Sequence, residues 1–242
     1  MKKILFLVAV LAVLAVFGCV SDAQPAEKEE PVVYETSGKD VLFVGRLDGG
    51  VKPHDKLLID RLTAMGFTVT GKEAKILSGK EAQQYDFVFI SETNDSKRVV
   101  AKFVDTDRPV LLCEPYVYDD MGFTGMNSEI NFGKKEMMYS GVKIAKPEHP
   151  LAAGFSGTVE VFSKKGTMGF GKPEGEVTVV ATAPNDDAVA LIFAYEKGAK
   201  NKLGETQPGR RVQFFLMENM EDRINENGWN LFDAAVKYTF TK

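Results

Sequence analysis

Uninterrupted apolar runs alternate with helix-like patterns in the first half of the chain. The runs at 40–45 and 86–91 contain few polar positions, as in strands buried on both faces of a sheet. Shorter stretches at 67–70 and 109–113 predict two further strands. Between 40–45 and 67–70, Leu58, Leu62 and Met65 recur at helical spacing after Pro53, and Gly66 follows, which predicts a helix that ends at the glycine. Asp95 precedes a second, shorter helical pattern and can cap it. Strands alternating with helices predict a parallel sheet.

The second half of the chain has more strand character. We expect strands at 158–162, 177–183, 188–195 and 211–217, and a hairpin turn at Asp186 and Asp187. An amphipathic pattern from Trp229 to Phe240 predicts a closing helix. The sequence therefore predicts one α/β domain at 40–242, with a mostly parallel sheet and an antiparallel C-terminal edge.

The N-terminus has a different pattern. Lys2 and Lys3 precede an apolar run at 4–17, and Gly18-Cys19 follows, which is the layout of a secretory signal peptide. A cysteine directly after the small residue resembles the lipobox of prokaryotic lipoproteins, although Phe17 departs from the usual pattern. The resemblance implies cleavage of residues 1–18 and a lipid on Cys19. The alternatives are an uncleaved anchor, for which the run is shorter than the ~18–20 residues of a spanning helix, and plain secretion with cleavage near Ala23.

Residues 19–39 are small, charged and proline-containing, and we expect a flexible tether there. Together these segments predict an extracytoplasmic domain held at the cell membrane, or an outer membrane, by lipid on Cys19. The chain has two cysteines and a net charge of −4. With Cys19 lipidated, Cys113 has no disulfide partner within the chain. An acidic chain without a basic block is not expected to bind nucleic acid.

Several segments together resemble a known family. The start of the domain, the stretch Pro109–Tyr116, the His149-Pro150-Leu151-x-x-Gly154 segment and the closing segments Gly209–Phe215 and Trp229–Ala235 are similar to class I glutamine-amidotransferase-like domains, and within them to the trehalose-utilisation (ThuA-like) branch. The resemblance runs from about Asp40 to Phe240. It implies a flavodoxin-like, three-layer sandwich.

The amidotransferase chemistry is not expected to accompany the fold. That chemistry needs a cysteine on a sharp, glycine-flanked turn and a histidine oriented by a carboxylate. Cys113 is followed by Glu114 and Pro115, with no glycine on either side, and no histidine follows the strand at 211–217. We therefore predict that Cys113 is a buried strand residue and expect no glutaminase activity.

The candidate site is the edge where the parallel strands end, the usual ligand position in open α/β sheets. Three loops meet there: the first offers Arg46, Asp48 and His54, the second Ser91–Asn94, and the third Glu114–Asp120. The ligand-binding candidates are Glu92, Asn94, Glu114, Tyr116, Asp119 and Asp120. Such side chains can bind a sugar or hold a hard cation; alternatively they are solvated loop residues, with Glu92 and Asp95 capping helices. Two histidines far apart in sequence give no metal-ligand spacing, and no cofactor is expected.

Three hypotheses on function remain open. In the first, a non-catalytic lipoprotein binds a small ligand, with carbohydrate as one candidate, or a partner in the cell envelope. In the second, a hydrolase or sugar-processing enzyme uses Asp119, Asp120 or Glu114 as acid and base. In the third, the protein has a structural role in the envelope. The sequence does not indicate an oligomeric state.

Overall fold

The computed structural model describes residues 36–241. The predicted signal peptide, Cys19 and nearly all of the predicted tether lie outside these residues. Among residues 36–241, no helix is long and apolar enough to cross a membrane.

Within the described residues the chain forms eleven strands and three α-helices. In chain order they are β1 (Asp40–Val44), α1 (Pro53–Ala64), β2 (Thr68–Lys72), β3 (Phe87–Ile90), α2 (Ser96–Val99), β4 (Val110–Leu112), β5 (Phe132–Tyr139), β6 (Gly141–Ile144), β7 (Gly157–Glu160), β8 (Gly166–Gly171), β9 (Thr178–Ala183), β10 (Asp186–Tyr195), β11 (Arg211–Phe214) and α3 (Glu226–Phe240). Short 3₁₀ helices lie at Ala74–Ile76, Gly79–Gln84, Pro115–Val117 and Pro150–Ala152.

The strands form one mixed sheet. Its parallel core has the order β2-β1-β3-β4-β11, and the sheet continues through β10, β9, β6 and β7 in antiparallel pairing. β8 pairs with β10 and with β5, also antiparallel. The predicted α/β class with a parallel core and an antiparallel remainder is confirmed. Six strands, β5 to β10, make up the antiparallel part.

Alternation along the central strands separates two apolar layers. Side chains of one parity, such as Phe43 and Phe89, face α1 and α3, and those of the other parity, such as Leu42 and Ile90, face the layer that contains α2 and the loop after β4. Both layers are buried, so each central strand is covered on both faces. This is why these strands read as continuous apolar runs in the sequence.

Local signals fix the ends of the helices that cover the sheet. Pro53 is the first residue of α1, and Gly66, with φ +98°, follows its end in a conformation that favours glycine. Asn225 caps α3 by accepting a hydrogen bond from the Gly228 N–H at 3.0 Å. Asp95 caps α2 through the Lys97 N–H, as predicted.

The antiparallel half differs from the sequence prediction in two respects. β5, β6 and β8 were not predicted, because β5 is mostly exposed or half-buried and all three contain glycines, so none shows a clear apolar pattern. The predicted turn at Asp186 and Asp187 was wrong: the turn is at Pro184 and Asn185, and the two aspartates begin β10. Proline and asparagine suit a turn, and this signal was available in the sequence.

Candidate functional site

The parallel strands β1, β3 and β4 end at the same edge of the sheet. From β1, the chain passes through α1 to β2 on one side, whereas β3 lies on the other side of β1. The loops after β1 and β3 therefore leave in different directions and open a crevice between them. In open α/β sheets this is the position where ligands bind.

A buried carboxylate connects the two loops that border the crevice. Asp55, fully buried in the first turn of α1, accepts hydrogen bonds from the Ser91 hydroxyl at 2.5 Å and the Thr93 hydroxyl at 2.7 Å. The Thr93 oxygen in turn accepts the Arg46 N–H at 3.1 Å. Burial raises the pKa of Asp55, and the two hydroxyl hydrogen bonds oppose that rise. The loops after β1 and β3 are thus fixed relative to one another.

Gly45 and Asn94 complete this arrangement. A Cβ atom at Gly45 would lie 2.7 Å from Asp55 Oδ2, so only glycine permits the carboxylate to approach the end of β1. Asn94 Nδ2 donates to the carbonyl oxygens of Val44 at 2.7 Å and Ser91 at 2.8 Å. The amide of Asn94, a predicted ligand-binding residue, therefore holds the ends of β1 and β3 together.

A cleft of about 210 Å³ opens beside this network. We call it the switch-point cleft; it is lined by Gly45, Arg46, Asp48, Glu73, Ala74, Lys75, Asn94, Asp95 and Arg98. Six of these nine residues are charged, three positively and three negatively, and none is aromatic. The loops after β1, β2 and β3 all contribute to the lining.

The charges in the switch-point cleft pair with one another. Asp48 lies 3.5 Å from Arg46 Nε and 3.3 Å from Lys75 Nζ. Lys75 also contacts Glu73 at 2.5 Å, and Arg98 contacts Asp95 at 3.5 Å. The two basic neighbours lower the pKa of Asp48, and the two acidic neighbours raise the pKa of Lys75. Most of these groups are more than two-fifths exposed, so solvent screens the pairs and they are weak.

A second group of acidic residues lies at the ends of β3, β4 and β11. We call Glu92, Glu114 and Glu218 the carboxyl cluster. Glu92 Oε2 accepts the Glu218 N–H at 2.8 Å, and Glu114, only 3 % exposed, accepts the Tyr116 N–H at 2.9 Å. Burial is the main cause that raises the pKa of Glu92 to about 7 and that of Glu114 to about 9, and the neighbouring carboxylates add to it. Glu92 does not cap a helix.

Within residues 36–241, no hydrogen bond joins Cys113 to a histidine. Cys113 is fully buried, as predicted, and burial raises the pKa of its thiol far above the ordinary range. His149 caps a 3₁₀ helix through the Leu151 N–H and packs edge-on against Tyr238. His54 was expected at the rim, but it is 2 % exposed, and burial lowers its pKa to about 4. Its Nδ1 lies 3.9 Å from Glu221.

The third predicted loop does not reach the switch-point cleft. Glu114 belongs to the carboxyl cluster, and the Tyr116 hydroxyl donates to Glu129 at 2.6 Å. Tyr118, expected at the rim, is buried in the core against Phe193. Asp119 and Asp120 follow in a turn, and within residues 36–241 no hydrogen bond or ion pair joins their side chains to either group. Of the six predicted residues, only Asn94 lines the cleft.

Sequence reasoning missed three charged residues of the cleft: Glu73, Lys75 and Arg98. Glu73 and Lys75 follow the end of β2, which lies beside β1 in the parallel core. Applying the strand-end rule to the second predicted strand, as well as to the first and third, would have found them. Arg98 could have been found because it lies in the predicted short helix that Asp95 caps.

Comparison of the chain with known protein families finds no matching family, and comparison with curated proteins finds no match either. Across residues 36–241, no three His, Cys, Asp or Glu side chains are arranged to hold a metal ion.

Proposed function

We propose that this protein is a membrane-anchored lipoprotein whose α/β domain binds a small polar ligand in the switch-point cleft. The observation that carries the proposal is the cleft itself: six charged side chains from three loops converge at the position where the strand order of the sheet reverses. Its volume suits a small metabolite.

The buried network beneath the cleft supports a binding role. Asp55 and Asn94 fix the two main loops through hydrogen bonds to side chains and backbone. A site that is already ordered loses less conformational entropy when it binds. The lining loops therefore have the rigidity that a ligand site needs.

The proposal includes a lipid anchor on Cys19 and an amidotransferase-like domain. The Gly18-Cys19 sequence after an apolar run supports lipidation. The parallel strand order is compatible with a catalytically degenerate, amidotransferase-like domain, and the burial of Cys113 speaks against glutaminase activity. Metabolic labelling with an alkynyl fatty acid should mark the wild-type protein and not the Cys19→Ser variant; equal labelling of the two would contradict the anchor.

Ligand binding can be tested by thermal unfolding of the full-length protein in detergent micelles. The probes are panels of sugars, amino acids, nucleosides and inorganic phosphate, because a bound ligand raises the unfolding temperature. A ligand of the cleft should stabilise the wild type but not Lys75→Glu. Lys143→Glu is the matched control, since Lys143 forms an exposed ion pair with Asp187 on another part of the sheet. No shift with any probe, or an equal shift in Lys75→Glu, would overturn the proposal.

The carboxyl cluster supports a second candidate function, a hydrolase. A carboxyl group with a pKa of about 7, as in Glu92, can donate and accept a proton near neutral pH. Glu92 and Glu114, not Asp119 or Asp120, would then act as acid and base. If a turnover is found, Glu92→Gln should abolish it and Asp120→Asn should not; the reverse result would exclude this assignment.

A further inference from the structure

The balance of charge in the switch-point cleft restricts what it can bind. Its lining carries three cationic groups, three anionic groups and a single apolar side chain, Ala74. Without a ligand, every one of these charges has an opposite charge within 4.0 Å. A ligand must therefore compete with pairs that already exist.

Each class of ligand changes those pairs differently. An anion would draw Arg46, Lys75 or Arg98 away from the carboxylates and leave these unpaired beside it. A cation would do the same to the basic groups. A neutral sugar would leave the pairs intact, but no aromatic ring lines the cleft for a sugar to stack on. A molecule with one positive and one negative group can insert between the two members of an ion pair. Its negative group then faces the basic side chain and its positive group the acidic one, so in this exchange of partners every charge keeps an opposite neighbour.

The geometry of the pairs favours such an exchange. Asp48 bridges Arg46 and Lys75 at 3.5 and 3.3 Å, and Arg98 contacts Asp95 at 3.5 Å, all longer than a good charge-assisted hydrogen bond. The fourth pair, Lys75 with Glu73 at 2.5 Å, is short, so the exchange concerns the other three. Because these side chains are solvent-screened, little free energy is lost when a ligand replaces one partner. A ligand that excludes water from the cleft would make stronger pairs than those it replaces.

We propose that the ligand of the switch-point cleft is a small zwitterion of the free α-amino acid class, with its carboxylate on the basic groups and its ammonium on the acidic groups. The volume agrees with this size, since about 210 Å³ lies below the ~300–1,000 Å³ of pockets that hold larger ligands. This inference rests on the proposed function, because it names the ligand class of the same cleft.

The test is isothermal titration of the full-length protein in detergent micelles with each free L-amino acid, with glucose and with inorganic phosphate. For the best amino acid, its N-acetyl derivative removes the ammonium charge and its carboxamide derivative removes the carboxylate. We expect both derivatives to bind at least tenfold more weakly than the parent. Asp48→Asn and Arg98→Gln should each weaken binding of the parent at least tenfold, whereas Asp187→Asn, which breaks an exposed ion pair outside the cleft, should not change it.

The outcomes separate the two proposals. If glucose binds and loses affinity in Asp48→Asn, or phosphate binds and loses affinity in Arg98→Gln, while no amino acid binds, the cleft is a ligand site and the zwitterion inference is wrong. If either derivative binds as tightly as its parent, the inference is also wrong. If no probe binds, or if binding is unchanged in both cleft variants, the proposed function fails together with the inference.

Discussion

Replacing Glu114 with glutamine is expected to stabilise the protein, and the gain should grow as the pH rises. Glu114 is 3 % exposed, and its pKa is raised from 4.5 to about 9, mainly because burial disfavours the charged form. The folded state therefore retains a proton that the unfolded state loses at lower pH. Stability then falls as the pH rises from 4.5 toward 9. Glutamine cannot titrate, and its Oε1 can still accept the Tyr116 N–H.

The size of the effect follows from the separation of the two pKa values. At pH 8 the pH is about 3.5 units above the pKa of Glu114 in the unfolded state. Each unit is worth about 1.36 kcal/mol, so the free energy of unfolding of Glu114→Gln should exceed that of the wild type by roughly 5 kcal/mol. Near pH 4.5 the difference should be close to zero, since Glu114 is protonated in the folded state and half protonated in the unfolded state. The signature is this dependence on pH rather than any single value.

Urea unfolding at pH 5, 6.5 and 8 can measure the effect. Trp229, the single tryptophan, packs against Phe232 with ring centroids 5.6 Å apart, so its fluorescence reports unfolding. The matched control is Glu148→Gln, at an exposed glutamate, which should leave the pH dependence unchanged. A gain in Glu114→Gln that is equal at pH 5 and pH 8, or no gain at pH 8, would refute the reasoning.

Three further predictions concern buried polar groups. Asp55→Ala should lower the free energy of unfolding by about 2–6 kcal/mol, because it leaves two buried hydroxyls without their acceptor. Asp55→Asn keeps an acceptor and should lower the free energy of unfolding by less. Equal losses for the two variants in urea unfolding would contradict the role of the network. In a Cys19→Ser background, Cys113 should react with a thiol reagent only as the protein unfolds; rapid labelling of the folded protein would show that the thiol is accessible. Arg211→Met should destabilise the fold by at least about 3 kcal/mol. The Arg211 side chain is 1 % exposed, and its guanidinium donates to five backbone carbonyl oxygens. A midpoint of urea unfolding equal to that of the wild type would contradict this.

The sequence identified the strands that are buried on both faces of the sheet. β1, β3 and β4 are covered on both faces, so their apolar runs identify them without knowledge of their neighbours. β5 contains Lys134, Lys135 and Glu136 and has much exposed surface, and only its pairing with β8 makes it a strand. A local pattern cannot reveal a strand that a distant partner stabilises.

The candidate site was predictable in position but not in composition. The strand-end rule directed attention to the loops after β1 and β3, and both loops line the switch-point cleft. It could not show that Glu114 is buried, because that burial depends on long-range packing; Glu92, its neighbour in the carboxyl cluster, is bonded to Glu218, 126 residues away in the chain. The rule also placed His54 at the rim. Its burial near Glu221 depends on a contact between residues far apart in the chain, which a local pattern does not reveal.

The position of β11 also determines when the sheet can close. Among the described strands, β11 alone pairs with β4 on one side and β10 on the other, and it is the last of them in chain order. Until Arg211–Phe214 is available, the hydrogen bonds that unite the two halves of the sheet cannot form. Pairing of this kind closes a long loop and is slow to form. In a chain synthesised from its N-terminus, the other ten described strands are therefore made before the one that joins the two halves of the sheet.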